Sequence, residues 1–563
     1  MPRNSRFGLD GQGYFTQNGQ RVIPFGVNYW PGSTGVELWP RFPATEIQHD
    51  LDVLAKVGMN CVRFFLRWQD FEPGIGQYDE TMFGRLGQVL GWCRERKIYA
   101  HPSLFVGFLS GGLFWPEWKA GRNLFADAYM RERATAFARK AAGVMAEFKD
   151  IVIAIDQGNE MCCLAESREA EPAAVASWCG DVNAAVRSVW PEALMISGNE
   201  QAQFLGDSGW RFGDLPGLGQ PGCNLYSMHA YPVAAWHAVR FDGLTDRFCQ
   251  SLLPMYTKVA RAFGPVMVQE FGTIVTFGAR QQRAYLEGIL PKCWDAGANG
   301  FLWWCMRDIT ANVYPYTGHG FEGTLGLFDA QDRVKPGLEY YLEFGQSLAT
   351  RPAPSLAADT IGLYFPRQWY NRNVPGAVNT PGQMNKHLVM ANYLLESLGR
   401  STTIVRGDRP LPAHIKTIII PGVFMNLPDT AALDAWVRAG GRLIWNGPDP
   451  VNWGPAYIEM LGARPVDYRA TLPAEIEAGG KTWQLRHYPR DMRVELEMTT
   501  ATVLARDSKT ALPAVLRNAL GKGTVVTCLN QVERTLADLG EHREVRDGWA
   551  AFYAWLLESV AGI

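Results

Sequence analysis

The 563-residue sequence has no apolar run approaching the roughly 20 residues needed to cross a bilayer, so no membrane span is expected. It has almost no net charge, −2 at pH 7. That removes the electrostatic reason to expect nucleic acid or an anionic membrane surface as a partner. The ten cysteines contain no CxxC pair, and Cys61, Cys305 and Cys528 lie inside apolar runs. Buried, reduced thiols are expected rather than a disulfide framework. The nine histidines never fall at ligand spacing with cysteine or carboxylate neighbours, so neither a metal nor another cofactor is expected. The opening stretch, "MPRNSRFGLDGQGYF", has basic residues but no apolar segment behind them, unlike a secretory leader, and the expected location is the cytoplasm. Internal repeats and low-complexity tracts are also missing.

What the chain does have is size and tryptophan. At 563 residues it is too long for one hydrophobic core, and two or three domains are expected. Of its 20 tryptophans, 13 precede residue 345. Their flat faces suit sugar rings, but large cores use tryptophan too, and composition leaves both readings open.

The first 345 residues alternate short apolar runs with amphipathic stretches. The runs are "VIPFGVNYW" (22–30), "NCVRFFLRW" (60–68), "IYAHPSLF" (98–105), "IVIAIDQGNE" (151–160), "ALMISGNE" (193–200), "CNLYSMHAYP" (223–232), "PVMVQEFG" (265–272) and "GFLWWCM" (300–306). Between them, stretches such as 44–58 carry Leu51, Leu54 and Val57 at helical spacing. Eight strand-like runs, each followed by a helix, predict a (β/α)8 TIM barrel over 1–349. Asn18-Gly19 between alternating residues predicts a hairpin plugging its N-terminal end. A Pro/Ala-rich linker follows at 350–359. Residues 360–460 then alternate β and α with near-continuous apolar strands, predicting an α/β unit with a parallel sheet. Residues 461–563 read as a small β-rich region and a closing helix.

In a barrel of this kind the chemistry sits where strands end and loops begin. Polar residues ending the runs are Asn28, Arg63, His101, Asn159-Glu160, Asn199-Glu200, His229, Tyr231, Glu270 and Trp303-Trp304. Two carboxylates from different strands are the minimum equipment for glycoside hydrolysis, one protonating the leaving oxygen while the other attacks or activates water. Glu160, Glu200 and Glu270 compete for these roles. Each of the first two closes a Gly-Asn-Glu triplet, and spacing alone does not rank them.

"DQGNE" ending the fourth run and "VQEFG" ending the seventh resemble the signature of the retaining glycoside hydrolases of clan A, especially family 5, over residues 20–345. The resemblance implies Glu160 as acid/base and Glu270 as nucleophile, about 5–5.5 Å apart, with Glu200 a residue of the barrel rim. It further implies a substrate-binding set of Arg63, His101, Asn159, His229, Tyr231 and one or both of Trp303 and Trp304. "GVNYWP" (26–31), "VRFFLRWQDFEP" (62–73), "SLFVGFLSG" (103–111) and "FEGTLGLFDAQDRVKPGL" (321–338) are similar to a branch of β-mannosidases and mannanase-like enzymes. They add Asn28, Trp68 and Glu322 as sugar-gripping candidates. The expected substrate is a short β-mannoside oligosaccharide attacked from its end. An endo-β-mannanase, a β-glucanase or β-glucosidase, or a β-galactosidase is the alternative, and a non-catalytic carbohydrate-binding protein is the alternative from another class. Segments 106–124 and 309–325 are long enough to wall one end of a cleft.

Residues 360–460 resemble the class I glutamine-amidotransferase-like domain that some family 42 β-galactosidases carry after their barrel. Neither "IIIPGVFMN" nor "LIWNGPDP" supplies a nucleophilic cysteine. An inert domain that packs on the barrel or builds a homo-oligomer is expected. The ranking of the two triplets is directly testable. Glu160→Gln should abolish turnover of a substrate with a poor leaving group, whereas Glu200→Gln should keep it within several-fold, read as initial rates of the purified variants.

Overall fold

The structure, a computed structural model, describes residues 6–201, 222–232, 243–367, 381–422, 427–448, 453–470, 475–484, 492–539 and 543–561. Three short strands come first, β1 (Phe7–Leu9), β2 (Phe15–Gln17) and β3 (Gln20–Arg21), forming one antiparallel sheet. Asn18 and Gly19, both at positive φ, make the tight β2–β3 turn. The expected hairpin is therefore one strand larger. It caps the barrel's lower end, where Asn299 Nδ2 donates to the Gly13 carbonyl at 2.7 Å and the Phe7 ring meets Tyr99 edge-on.

The barrel strands are β4 (Phe25–Asn28), β5 (Cys61–Phe65) and β6 (Tyr99–Ser103), then, after a small hairpin of β7 (Phe108–Leu109) and β8 (Gly112–Leu113), β9 (Ile155–Asp156), β10 (Met195–Ile196), β11 (Tyr226–His229), β12 (Val266–Phe271) and β13 (Ala298–Trp303). Eight of them form one all-parallel sheet in the order β10-β9-β6-β5-β4-β13-β12-β11. A parallel bridge from Ile196 to Leu225 joins the two ends, so the sheet closes. All eight predicted runs are strands of this barrel. Every residue of β4, β5, β6, β12 and β13 is buried, which is why these runs read as continuous apolar stretches rather than alternating ones.

The helices obey local rules. Helix Ala44–Lys56 buries Ile47, Leu51 and Leu54 on one face. Asp79 and Asp127 cap the helices Glu80–Arg96 and Ala128–Ala146 by accepting from backbone N–H groups of the first turn.

The second half is built on a nine-stranded sheet. Its parallel part comprises β14 (Ile361–Phe365), β15 (Thr402–Arg406), β16 (Thr417–Pro421), β17 (Arg442–Asn446) and β24 (Gly523–Cys528), in the order β15-β14-β16-β17-β24. Counted along the chain that is 2-1-3-4-5, the flavodoxin-like arrangement. The sheet continues antiparallel through β23 (Pro513–Leu520), β22 (Thr502–Asp507), β19 (Glu475–Ala478) and β20 (Lys481–Gln484). One sheet therefore spans residues on both sides of position 460. A separate ribbon pairs β18 (Ala463–Ala470) with β21 (Met492–Met498). Cys528 ends β24 as a buried thiol pushed up to about 12 by burial, the opposite of an activated nucleophile.

The two halves meet along the barrel helix Arg247–Phe263 and the helix Pro381–Ser397. Lys258 Nζ reaches Glu396 at 2.8 Å and Thr402 at 2.8 Å. Arg406 lies over the Phe263 ring and donates to the Ala262 carbonyl. Asp246, the N-cap of the barrel helix, forms a fully buried ion pair with Arg546, near the end of the chain. Removing one member of such a pair strands a charge, at a cost of about 3–5 kcal/mol. Arg546→Met is expected to lower the thermal unfolding midpoint markedly, while Asp246→Asn with Arg546→Met together should recover part of the loss. A scanning calorimetry series checks this.

Candidate active site

Arg63, on β5, is completely buried, and it organises the site because a guanidinium there must be satisfied in full. Its Nη2 donates to Asp156 at 2.6 Å and to Asn159 Oδ1 at 2.8 Å. Its Nη1 donates to Asn28 Oδ1 at 2.9 Å and to Glu270 Oε2 at 3.2 Å. One cation thus ties together the ends of the first, second, fourth and seventh strands. Asp156 is a site residue that sequence reasoning does not single out. Its signal is an acid ending the apolar run "IAID", overshadowed by the adjacent Asn-Glu.

Glu270 accepts from two donors that favour its ionised form, Arg63 and the Tyr231 hydroxyl, the latter 2.6 Å from Oε1. Burial and the neighbouring Glu160 raise its pKa, and Arg63 and Tyr231 oppose that rise. Glu160 is raised to about 7, chiefly by burial, with Arg63 pulling down and Glu322 pushing up. Of the two, Glu160 has the weaker anion support, which favours Glu160 over Glu270 as the carboxyl that takes up a proton as pH falls. Glu160, Glu270 and the His229 ring each place one polar atom within 4.8 Å of the others. Those facing atoms are already joined: His229 Nδ1 stands 3.0 Å from Glu160 Oε1 and 3.4 Å from Glu270 Oε2.

Glu160 adopts φ 47°, the left-handed region that only special context tolerates in a residue with a Cβ. The second Gly-Asn-Glu triplet supplies that context. The Glu160 N–H donates to the Gly198 carbonyl at 2.9 Å, and a Cβ on Gly198 would collide with the Gly158 carbonyl oxygen. Glu200 accepts from the thiols of Cys162 (3.3 Å) and Cys163 (3.7 Å), which follow Glu160 closely in the chain. The triplet after β10 buttresses the triplet after β9.

Four residues expected at the ligand lie elsewhere. Trp68 is buried under Phe105, Phe137 and Trp118, with its indole N–H on Glu72: it is core. Trp303 is also fully buried, packed on Phe271 and Tyr341 and donating to the Leu325 carbonyl. Asn28 spends its amide on the Arg63 guanidinium and on backbone carbonyls of Gln269, Leu302 and Trp303. Both nitrogens of His101 are engaged inside the barrel, Nδ1 with the Ala154 carbonyl and Nε2 with Gln269. Asn159 and Glu270 stay together on Arg63, Tyr231 joins Glu270, His229 joins Glu160, and Glu322 is near enough to act on the charge of Glu160. Trp304 donates to Glu322 Oε2 at 3.1 Å, which brings the loop after β13 onto the site. Burial raises the Glu322 carboxyl as well.

The hairpin β7–β8, which follows the third barrel strand, reaches across to that same loop. Leu113 N donates to the Tyr314 hydroxyl at 3.2 Å, and a Cβ on Gly111 would run into the His319 ring. On its inner side the Phe108 carbonyl accepts from Asn159 Nδ2 at 2.9 Å. Segments 106–124 and 309–325 do meet at these contacts.

The chain is similar to known proteins. The family model described as Cellulase (glycosyl hydrolase family 5) matches residues 16–308. No curated protein matches the chain. Among solved structures, the exo-beta-1,4-mannosidase Op5Man5 from Opitutaceae bacterium strain TAV5 is 44% identical, with a TM-score of 0.93, 98% of this chain and 99% of that one being covered. A GH5_18 protein from Streptomyces cattleya, in complex with Manb1-4GlcNAc, is 20% identical over 71% of this chain and 99% of its own, with a TM-score of 0.59. Gan42B, a GH42 beta-galactosidase from G. stearothermophilus, is 14% identical over 96% of this chain and 88% of its own, with a TM-score of 0.68. The last two share the fold, and the third shares it through the second half as well.

The site's electrostatics carry a spectroscopic expectation. The difference between the wild-type and Glu160→Gln infrared spectra should contain a protonated-carboxyl band at pH 6 that disappears with a midpoint near pH 7; the buried Glu533 carboxyl, also raised to about 7, contributes equally to both spectra and cancels. A difference spectrum without that band would assign the proton elsewhere.

Proposed function

This chain belongs to glycosyl hydrolase family 5 and is a glycoside hydrolase; we propose that it is a retaining exo-β-mannosidase that removes mannose from the ends of short β-mannosides. The observation that carries the retaining reading is the approach of Glu160 and Glu270 oxygens to within 4.8 Å, close to the roughly 5–5.5 Å of double displacement and well short of the roughly 6.5–9.5 Å that leaves room for a water.

In this reading Glu270, held ionised by Arg63 and Tyr231, attacks the anomeric carbon and forms a covalent glycosyl-enzyme. Glu160 gives its proton to the departing oxygen, then takes one from the water that releases the sugar. Asn159 keeps one amide N–H for a sugar hydroxyl beside the one it gives to Phe108. Trp304 and Glu322 offer an aromatic face and a hydroxyl acceptor at the mouth. The substrate assignment is supported by the 44% identical relative, which is an exo-beta-1,4-mannosidase. The exo assignment is supported by the β7–β8 hairpin docked on the loop of Tyr314 and His319.

The ten cysteines are all free and mostly buried, which supports a reducing, cytoplasmic setting. Among the described residues no helix is long and apolar enough to cross a membrane. We assign residues 1–349 as the catalytic unit, 350–359 as linker, and 360–460 with 461–563 as a chemically inert half that joins copies of the chain. The exposed Val466 and Tyr468 on the β18–β21 ribbon support that last role.

The test is product analysis on mannobiose, mannotriose and linear mannan. Mannose alone is expected from every substrate, with the anomer retained by NMR, and turnover should fall as pH rises through about 7 because the acid must be protonated. Early internal cleavage of mannan would overturn the exo reading.

A further inference from the structure

The proton on Glu160 depends on a hydrogen-bonded chain that none of the assigned residues explains. It begins at the Ala154 carbonyl, which accepts only, so His101 Nδ1 (2.9 Å away) must carry hydrogen. Burial holds the His101 pKa down at about 4, so the ring is neutral and its Nε2 is a bare lone pair. That lone pair faces Gln269 at 2.7 Å and requires the amide nitrogen there. The Gln269 oxygen is then turned to His229 Nε2, also at 2.7 Å, and this nitrogen must donate. Flipping the amide would force His101 to hold two hydrogens, placing a cation where burial opposes one. His229 is itself kept towards neutrality by burial, so with hydrogen on Nε2 its Nδ1 is the acceptor that faces Glu160. A carboxylate in that position meets a lone pair, and a carboxylic acid meets an acceptor.

Resting on the reading of Glu160 as the acid, we propose that Gln269 is a positioning residue: with His101 it fixes which nitrogen of His229 bears hydrogen, and so keeps the catalytic proton on Glu160. The other groups facing Glu160 do not make this choice. Arg63 from β5 favours the anion, Glu322 from the loop after β13 opposes it, and Asp156, Glu270, Tyr231, Cys162 and Cys163 complete the surroundings. None of them bonds His229 Nε2 among the contacts described. Gln269 reaches this place through an irregularity in β12. Met228 pairs with Val268 but His229 pairs with Glu270, so the extra residue breaks the two-residue alternation, and both Gln269 and Glu270 reach His229 from the barrel interior, Gln269 by a hydrogen bond.

The test uses Gln269→Met, of similar volume but without a hydrogen-bonding amide. His229 is then free to carry hydrogen on Nδ1 and to donate to the carboxylates, which favours ionised Glu160. The alkaline limb of kcat/KM should move down by about one pH unit or more. Hydrolysis of mannobiose at pH 7 should fall at least about 5-fold, while 2,4-dinitrophenyl β-mannoside, whose leaving group needs no proton, should lose far less. Equal losses on both substrates with an unmoved limb would reduce Gln269 to a packing residue. Independently of any variant, imidazole 15N NMR of the wild-type protein should show His229 as the Nε2–H tautomer and His101 as the Nδ1–H tautomer. The opposite tautomer at either ring overturns the proposal. Glu160→Gln measured alongside separates the two levels: if it hydrolyses mannobiose at the wild-type rate, the acid assignment itself fails and the relay with it.

Discussion

A single buried guanidinium, that of Arg63, is the constraint on which this site depends. It has no exposure and holds two acids and two amides from four directions. Burying a charge is tolerable only where its partners are complete, so each partner is fixed by the need of the others. Asp156 supplies the tight counter-charge, which leaves the longer contact to Glu270 as an orienting one. Asn28 and Asn159 accept from the outer hydrogens, and Asn28 in turn is anchored to carbonyls of β12 and β13. The same cation that completes a barrel core thereby favours the ionised form of one carboxylate at the mouth.

The two acids then differ by environment rather than by type. Glu270 has two donors, one charged, whereas Glu160 has a histidine whose facing nitrogen is a lone pair in the Nε2–H tautomer. Burial acts on both, and the donors decide which one gives way. This division needs a backbone in which Glu160 sits at a left-handed φ, and the Gly198 carbonyl together with the Glu200 carboxylate on the Cys162 and Cys163 thiols locks that conformation from the neighbouring strand.

The barrel was legible in the sequence because fully buried parallel strands leave a plain record, eight apolar runs with polar ends, and the two catalytic candidates lay at those ends. Family resemblance, not spacing, separated Glu160 from Glu200. What stayed hidden has a common physical cause: side-chain direction. Trp68, just past the second barrel strand, and Trp303, at the end of the eighth, pack against the outer helices at Phe137 and Tyr341, and an aromatic residue in a motif reads alike whether it faces ligand or core. Asn28 and His101 end in the barrel interior because Arg63 and Gln269 need partners there. Gln269 itself was invisible because a strand irregularity has no sequence signature here, and strict alternation turns it outwards. The docking of the β7–β8 hairpin on the loop after β13 joins Leu113 to Tyr314, 201 positions further along the chain, which local pattern cannot supply.

The Asp246–Arg546 pair has a bearing on how the chain comes off the ribosome. Its members are 300 positions apart, and the earlier one caps a helix of the barrel. At about 5–20 residues per second, the acid waits on the order of 15–60 s for its cation to be translated. Through that interval the nascent barrel carries an unneutralised charge at its future seam, and the final helices close the molecule last. The order of synthesis makes the C-terminal segment the clasp that finishes a catalytic unit already threaded hundreds of residues earlier.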